Sequence, residues 1–274
     1  MLKVEIITIG TELIVGLIIN TNATWLAKKL TELGCYVTRI VTVRDDEEEI
    51  SSVIHEAFKR ADLVITSGGL GPTEDDLTLK AVAKAFNKKL VLDPEAKRIV
   101  EKRYKQLYEE GILDSPELTP SRLKMAYIPE GSKPLDNPVG AAPGVYLEVN
   151  KKVLICLPGV PKELQSIFEK YVKPLIMEKT KRKVSLSVKI LTNARDESKL
   201  ANIIKKLTKT FPEAYIKSHA SKFEGNEGIP ITVTVFAKDI GEARQKIMEI
   251  VGEASKLLEE HGYLVLGTID LSIT

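Results

Sequence analysis

The chain has 274 residues, 43% of them hydrophobic and 5% aromatic, enough for one sizeable core and a second, smaller one. Its 40 basic and 38 acidic residues leave a net charge of +2, which excludes a molecule-wide field that would steer a polyanion. No apolar run reaches the length that crosses a bilayer, and the two cysteines lack metal-type spacing. We therefore expect a cytoplasmic protein with no membrane partner, and nucleic acid is an unlikely partner without a local basic patch.

Apolar strands alternate with amphipathic helices through the first part of the chain. Each strand is short and almost continuously apolar, as in a parallel sheet that helices cover on both faces. We predict strands at 3–9, 35–43 and 62–67, and helices at 22–33 and 45–61. The predicted fold class is α/β with a mostly parallel sheet.

The segment from 93 to about 135 contains one clear helix followed by many proline and serine residues. We interpret it as an insertion or a flap beyond the sheet. The two strands 144–150 and 151–157 then predict a hairpin at one edge of the sheet, and a helix begins at Pro161.

The pattern changes after the basic segment 178–184, which we interpret as a linker. Strands and helices are predicted at 184–193, 196–210, 213–221, 229–238 and 240–262. This order is typical of a small α+β unit. We therefore predict two domains, residues 1–177 and residues 183–274.

A glycine-rich turn follows the third strand in the segment VITSGGLGPTEDDLT, residues 64–78. Its glycines, Gly68, Gly69 and Gly71, lie where ligands bind in open parallel sheets, and backbone N–H groups there can surround phosphate oxygens. Neither the P-loop nor the GxGxxG pattern fits this spacing. The glycines alone are equally consistent with a simple tight turn.

Two adjacent carboxylates, Asp75 and Asp76, follow this turn. One of them is expected to cap the helix that begins near Leu77, but two exceed what a cap requires. A divalent cation such as Mg²⁺ would let hard oxygen ligands and phosphate oxygens share one site.

Other polar residues should meet at the same edge of the sheet. They are Glu12, the Asn20–Asn22 cluster, Asp45 with Asp46, and the Gly/Pro turns 137–144 and 157–161. Asp45 and Asp46 are equally consistent with a helix cap and a first-turn carboxylate.

Four motifs in this order resemble the CinA family: GTELIVGLIINTNATWLAKKL, SGGLGPTEDDLT, NPVGAAPG and LPGVPKEL. The resemblance covers residues 3–175, and the first domain of that family is similar to the molybdopterin-binding domain of molybdenum-cofactor biosynthesis proteins. The unit from about 183 onward resembles the KH-type domain that follows in the family.

The resemblance implies a three-layer α/β/α first domain that assembles into homo-dimers or homo-trimers. It also implies metal-dependent hydrolysis of the pyrophosphate bond of ADP-ribose or a related dinucleotide such as FAD. The implied cofactor is a divalent metal, Mg²⁺ or similar, with a monovalent cation as a further candidate.

Site residues are carried over by motif. The phosphate-binding turn would comprise Gly68, Gly69, Gly71, Pro72 and Thr73, with Thr78 as a further ligand-binding residue. Asp75 and Asp76 would bind the metal or activate water. The pocket would be lined by Glu12, Asn20, Asn22 and Asp45, and its far wall by Asn137, Gly140, Gly144 and Gly159.

This sequence departs from the family pattern in three ways. The chain ends at Thr274, before a nicotinamide mononucleotide deamidase domain could begin, so deamidase activity is not expected. Ala141 replaces an expected threonine, which removes a hydroxyl near the ligand, and Leu164 replaces an expected methionine.

Two other functions stay open. The first domain could instead bind or adenylylate a pterin such as molybdopterin. The second domain could instead serve as a non-catalytic scaffold that binds a nucleotide or a nucleic acid, since GNEG (225–228) imitates the GXXG loop of KH domains. That loop falls between two strands, where a hairpin turn is the better interpretation.

Overall fold

The computed structural model describes residues 2–180, 184–219 and 228–271. The chain divides into two compact units, one of residues 1–31 and 35–179, the other of residues 32–34 and 180–274. Every candidate site residue lies in the first unit. Among the described residues, no helix is both long and apolar enough to span a membrane.

Eight strands and eight helices belong to the first unit within the described residues. The strands are β1 (Lys3–Ile9), β2 (Tyr36–Val43), β3 (Leu63–Ser67), β4 (Leu90–Leu92), β5 (Tyr127–Pro129), β6 (Lys133–Leu135), β7 (Gly144–Val149) and β8 (Lys152–Leu157). The helices are α1 (Thr11–Ile14), α2 (Thr21–Glu32), α3 (Glu47–Arg60), α4 (Thr78–Ala85), α5 (Pro94–Glu109), α6 (Pro120–Lys124), α7 (Pro161–Ile167) and α8 (Lys173–Lys179). A π-helical segment, Phe168–Val172, joins α7 to α8.

The main sheet has the strand order β2-β1-β3-β8-β7-β6. The neighbours from β2 to β8 pair in parallel, whereas β7 pairs antiparallel with both β8 and β6. The central strand β3 is buried along its whole length, so both faces of the sheet are covered. The predicted α/β fold with a mostly parallel sheet is confirmed, and the carboxyl ends of four parallel strands meet at one edge.

Local sequence explains why α3 forms where it does. The side chain of Asp46 accepts a hydrogen bond of 2.9 Å from the backbone N–H of Glu49 and so caps the helix. Acidic residues fill the first turn and basic residues the last, as the helix dipole favours. Ile50 and Ile54 on its inner face are fully buried in the main core.

The segment 93–135 packs as part of the folded unit, so of the two alternatives, an insertion or a flap beyond the sheet, the flap is wrong and the insertion stays a prediction. Helix α5 buries Ala96 and Val100 in the main core, because its apolar residues recur at helical spacing. Strand β6 then forms the edge of the main sheet outside β7, so the predicted hairpin lies one strand in from the edge. Pro134 in β6 lacks a backbone N–H, which suits an edge strand.

The second unit is an antiparallel α+β structure. Its elements are β9 (Val184–Thr192), α9 (Glu197–Thr210), β10 (Tyr215–Ser218), β11 (Ile231–Ala237), α10 (Ile240–Glu260) and β12 (Val265–Asp270), with the strand order β10-β11-β9-β12. The edge strand β12 was not predicted from the sequence. The KH-type assignment stays a prediction, and residues 225–227 of the GNEG segment lie outside the described residues.

Candidate functional site

The glycine turn after β3 needs glycine for steric reasons. Gly68 has φ +114°, and a Cβ there would lie 2.2 Å from the carbonyl oxygen of Ile9. Gly69 has φ +67°, and its Cβ would lie 2.3 Å from Oγ1 of Thr78. Thr78 anchors the turn, because its Oγ1 donates to the Gly68 carbonyl oxygen at 2.7 Å and its N–H donates to the Gly69 carbonyl oxygen at 3.2 Å.

Three consecutive backbone N–H groups in this turn are free. Gly68 donates its N–H to the carbonyl oxygen of Leu157 at 3.0 Å, which continues the pairing of β3 with β8. Within the described part of the chain, the N–H groups of Gly69, Leu70 and Gly71 have no such acceptor. Unpaired backbone donors next to a cavity are ready to bind an external acceptor such as a phosphate oxygen.

The loop that follows holds the two aspartates in different ways. Oδ2 of Asp76 accepts hydrogen bonds from the N–H (2.8 Å) and Oγ1 (2.6 Å) of Thr73. The pKa of Asp75 is lowered chiefly by the neighbouring Thr73 hydroxyl, then by its own backbone N–H and by the charge of Lys124. Neither aspartate caps α4, whose N-cap residue Leu77 makes no side-chain cap bond. The cap expected from the sequence is therefore wrong.

These residues line a cavity of about 410 Å³ at the carboxyl edge of the sheet. The predicted site residues in its wall are Glu12, Asp45, Gly68, Gly69, Gly71, Pro72, Asp75, Asp76 and Gly159. The Glu12 side chain lies against Gly10, since a Cβ on that glycine would be 2.4 Å from Oε1 of Glu12. Oδ2 of Asp45 accepts from the N–H and Oγ1 of Thr11 at 2.7 and 2.8 Å, which ties the loops after β1 and β2 together.

Asn20 and Asn22 line an adjacent cavity of about 300 Å³, which shares Glu12 and Gly159 with the first. Nδ2 of Asn22 donates to Oγ of Ser67 (3.0 Å) and to the carbonyl oxygen of Gly159 (2.8 Å). Nδ2 of Asn20 donates to Oγ1 of Thr8 at 2.8 Å. Both amides thus connect segments that are apart in sequence, and Asn22 holds Gly159, which lines both cavities.

The remaining predicted residues support the cavity from outside its wall. Thr73 and Thr78 hold the glycine loop, and a Cβ on Gly144 in β7 would lie 3.1 Å from the Cys156 carbonyl oxygen. Asn137 uses its whole amide group: Nδ2 donates to the Ala142 carbonyl oxygen (2.8 Å) and to Oε2 of Glu163 (2.7 Å), while Oδ1 accepts from Val139 (3.2 Å) and Gly140 (2.9 Å).

Glu163 is a cavity residue that the sequence analysis did not single out, together with Tyr104 and Met125. It lies in the first turn of α7, inside the LPGVPKEL motif, which was the signal available. Burial raises the pKa of Glu163, against the opposing effects of its hydrogen bond with Asn137 and the charge of Arg103. A Cβ on Gly140 would lie 2.1 Å from Cδ of Glu163, so that glycine makes room for the carboxyl group.

All charged side chains in the wall of the first cavity are acidic. Its wall carries the carboxyl groups of Glu12, Asp45, Asp75, Asp76 and Glu163, and none of its lining residues within the described chain is a lysine or an arginine. No group of three or more His, Cys, Asp or Glu side chains among the described residues could hold a metal ion alone.

A sheet of this order with a glycine turn at its carboxyl edge defines an α/β molybdopterin-binding-like domain. Residues 5–178 match the protein family described as "Probable molybdopterin binding domain", and the chain belongs to this family. A Pyrococcus furiosus protein is 45% identical over 236 residues, covering 86% of this chain and 90% of that protein. A Thermococcus kodakarensis protein is 41% identical over 257 residues, covering 93% and 98%.

A solved structure places the first unit among CinA-like proteins. The crystal structure of the protein CinA, of unknown function, from Thermoplasma acidophilum is 40% identical with a TM-score of 0.57. It covers 65% of this chain and 96% of that one.

Proposed function

We propose that the first unit binds the phosphate groups of a nucleotide at the glycine turn and hydrolyses a phosphoanhydride bond with a divalent cation. ADP-ribose and FAD are the leading candidate substrates. One observation carries the proposal: free N–H groups and five carboxyl groups share a cavity wall without a basic side chain. A bare diphosphate would be repelled there, whereas a diphosphate with its cation would be neutralised.

In the proposed reaction, the oxygen of a water molecule forms a bond to one phosphorus and the bridging P–O bond breaks. One of Asp75 and Asp76 would hold the cation, and the other would orient the water and accept its proton while the second phosphate leaves with the bridging oxygen. The free N–H groups of Gly69 and Gly71 stabilise the charge that develops on the phosphoryl oxygens. When bound, the cation supplies further neutralisation of that charge.

A second candidate is the binding of a phosphorylated pterin, and the family description supports it. The same turn would bind the pterin phosphate, and no hydrolysis would be needed. This function predicts that molybdopterin stays bound to the protein during purification. Hydrolysis instead predicts that AMP is released from ADP-ribose only when a divalent metal is added.

The two carboxylates can be tested by a screen of metals, with and without K⁺, against ADP-ribose, FAD and NAD. Asp75→Asn and Asp76→Asn keep an oxygen that can accept the Thr73 bonds, so both variants should fold. We expect at least one to lose about a hundredfold or more in turnover, as is usual for a group that acts on the transition state. Asp114→Asn, an exposed aspartate outside the cavity, is the control. Equal turnover in all four proteins would refute the proposed role.

A further inference from the structure

A third cavity, which is mostly apolar, also borders the glycine turn. It has a volume of about 290 Å³, and its wall includes Leu79 of α4, Leu90 of β4, Pro120 of α6 and Tyr127 of β5. The first cavity, called the acidic cavity below because its wall carries five carboxyl groups, shares residues 69–71, Asp76 and Met125 with this apolar cavity. A ligand that binds the free N–H groups of this turn is therefore next to both cavities.

We propose that this apolar cavity binds the bicyclic heteroaromatic ring of the ligand whose phosphates occupy the glycine turn. The inference rests on the proposed function only for the placement of those phosphates.

The size of the cavity fits one ring system. Ligand pockets of about 300–1,000 Å³ enclose whole drug-sized molecules, so about 290 Å³ suits a purine or a pterin rather than a complete dinucleotide. The sugar and phosphates would then extend along the turn into the acidic cavity.

The chemistry of the wall fits a planar aromatic ring. Aliphatic side chains and a proline supply apolar contact surface, and Tyr127, which is 39% exposed, supplies an aromatic ring for stacking. Lys80 and Lys124 bring positive charge to this cavity, whereas the acidic cavity has none in its wall. These lysines attract the phosphates of an anionic ligand to the turn that the two cavities share, and the ring can then enter the apolar cavity.

Calorimetric titrations with AMP and with ribose 5-phosphate, in buffer containing Mg²⁺, test the inference. The two probes share their sugar and phosphate and differ in the ring. We expect AMP to bind about tenfold more tightly than ribose 5-phosphate, the usual effect of stacking one base. A phosphorylated pterin, titrated in parallel, shows whether the cavity prefers a pterin ring or the purine ring of AMP.

Matched variants locate the ring. Leu90 lines the cavity and Val91, its neighbour in β4, does not, although the two are 36% and 37% exposed. Leu90→Asp and Tyr127→Ala should reduce AMP binding to the level of ribose 5-phosphate and leave ribose 5-phosphate binding unchanged. Val91→Asp and Tyr127→Phe should behave like the wild type.

The inference fails if the wild type binds no AMP, or binds both probes equally. It also fails if Leu90→Asp and Tyr127→Ala keep the preference for AMP. ADP-ribose turnover is measured separately on the same proteins. A preference for AMP over ribose 5-phosphate without ADP-ribose turnover would support the ring site and refute hydrolysis. Turnover without that preference would support hydrolysis and refute the ring site.

Discussion

Replacing Gly69 with alanine tests how the glycine turn is held in place. A residue other than glycine at φ +67° costs about 1–2 kcal/mol in backbone strain. The new Cβ, 2.3 Å from Oγ1 of Thr78, would also displace that hydroxyl and leave the Gly68 carbonyl oxygen unpaired, at about 1–3 kcal/mol. We therefore expect Gly69→Ala to lower the free energy of unfolding by about 2–5 kcal/mol.

Two further variants separate these contributions. Gly111 has φ +72° and nothing within 4 Å of its added Cβ, so Gly111→Ala should cost only the strain of about 1–2 kcal/mol. Thr78→Ala alone should cost about 1–3 kcal/mol, and adding it to Gly69→Ala should cost almost nothing more, because the bond is already lost. Urea unfolding, followed by the fluorescence of the single tryptophan, Trp25, measures each value. Additive effects of the two substitutions, or equal effects at Gly69 and Gly111, would refute the reasoning.

Three other outcomes are expected. Arg60→Ala should destabilise the protein, because Glu5, only 1% exposed, loses its bidentate partner, and Glu5→Gln in the same chain should recover most of this loss in urea unfolding. Because the pKa of Glu163 is raised, the stability that its proton adds is present below the usual glutamate pKa of about 4.3 and is lost as the pH rises through the raised value. The Tm of the wild type relative to Glu163→Gln should therefore fall across that range, and parallel Tm profiles would contradict this. Asn22→Ala should cost about 1–3 kcal/mol and weaken AMP binding, since two hydrogen bonds to Ser67 and the Gly159 turn are lost; unchanged binding in calorimetry would argue against it.

The sequence was most informative where local chemistry decides the structure. The strand 3–9 was predicted with its observed bounds, because a run of β-branched residues ends at Gly10. Helix α3 follows from its Asp46 cap and charge pattern, and Gly34, with φ +74°, ends α2 as predicted. These features need no knowledge of distant parts of the chain.

Features that depend on tertiary contacts could not be predicted in the same way. Glu163 becomes a cavity residue only because Asn137, 26 positions earlier, bonds its carboxyl group and Gly140 makes room for it. Strand β6 has only three residues and a proline, and it forms because β7 offers an edge. Strand β12 is exposed along most of its length, so it lacks the apolar alternation that marks a strand.

The burial of the Leu70 side chain affects how tightly the glycine turn can bind a ligand. It is 4% exposed and packs in the main core, although glycines flank it on both sides. Moving the turn outward would expose this side chain, at about 1.5–3 kcal/mol for a leucine. The flanking glycines therefore shape the turn without loosening it, and a ligand meets a preorganised surface that has little conformational entropy left to lose.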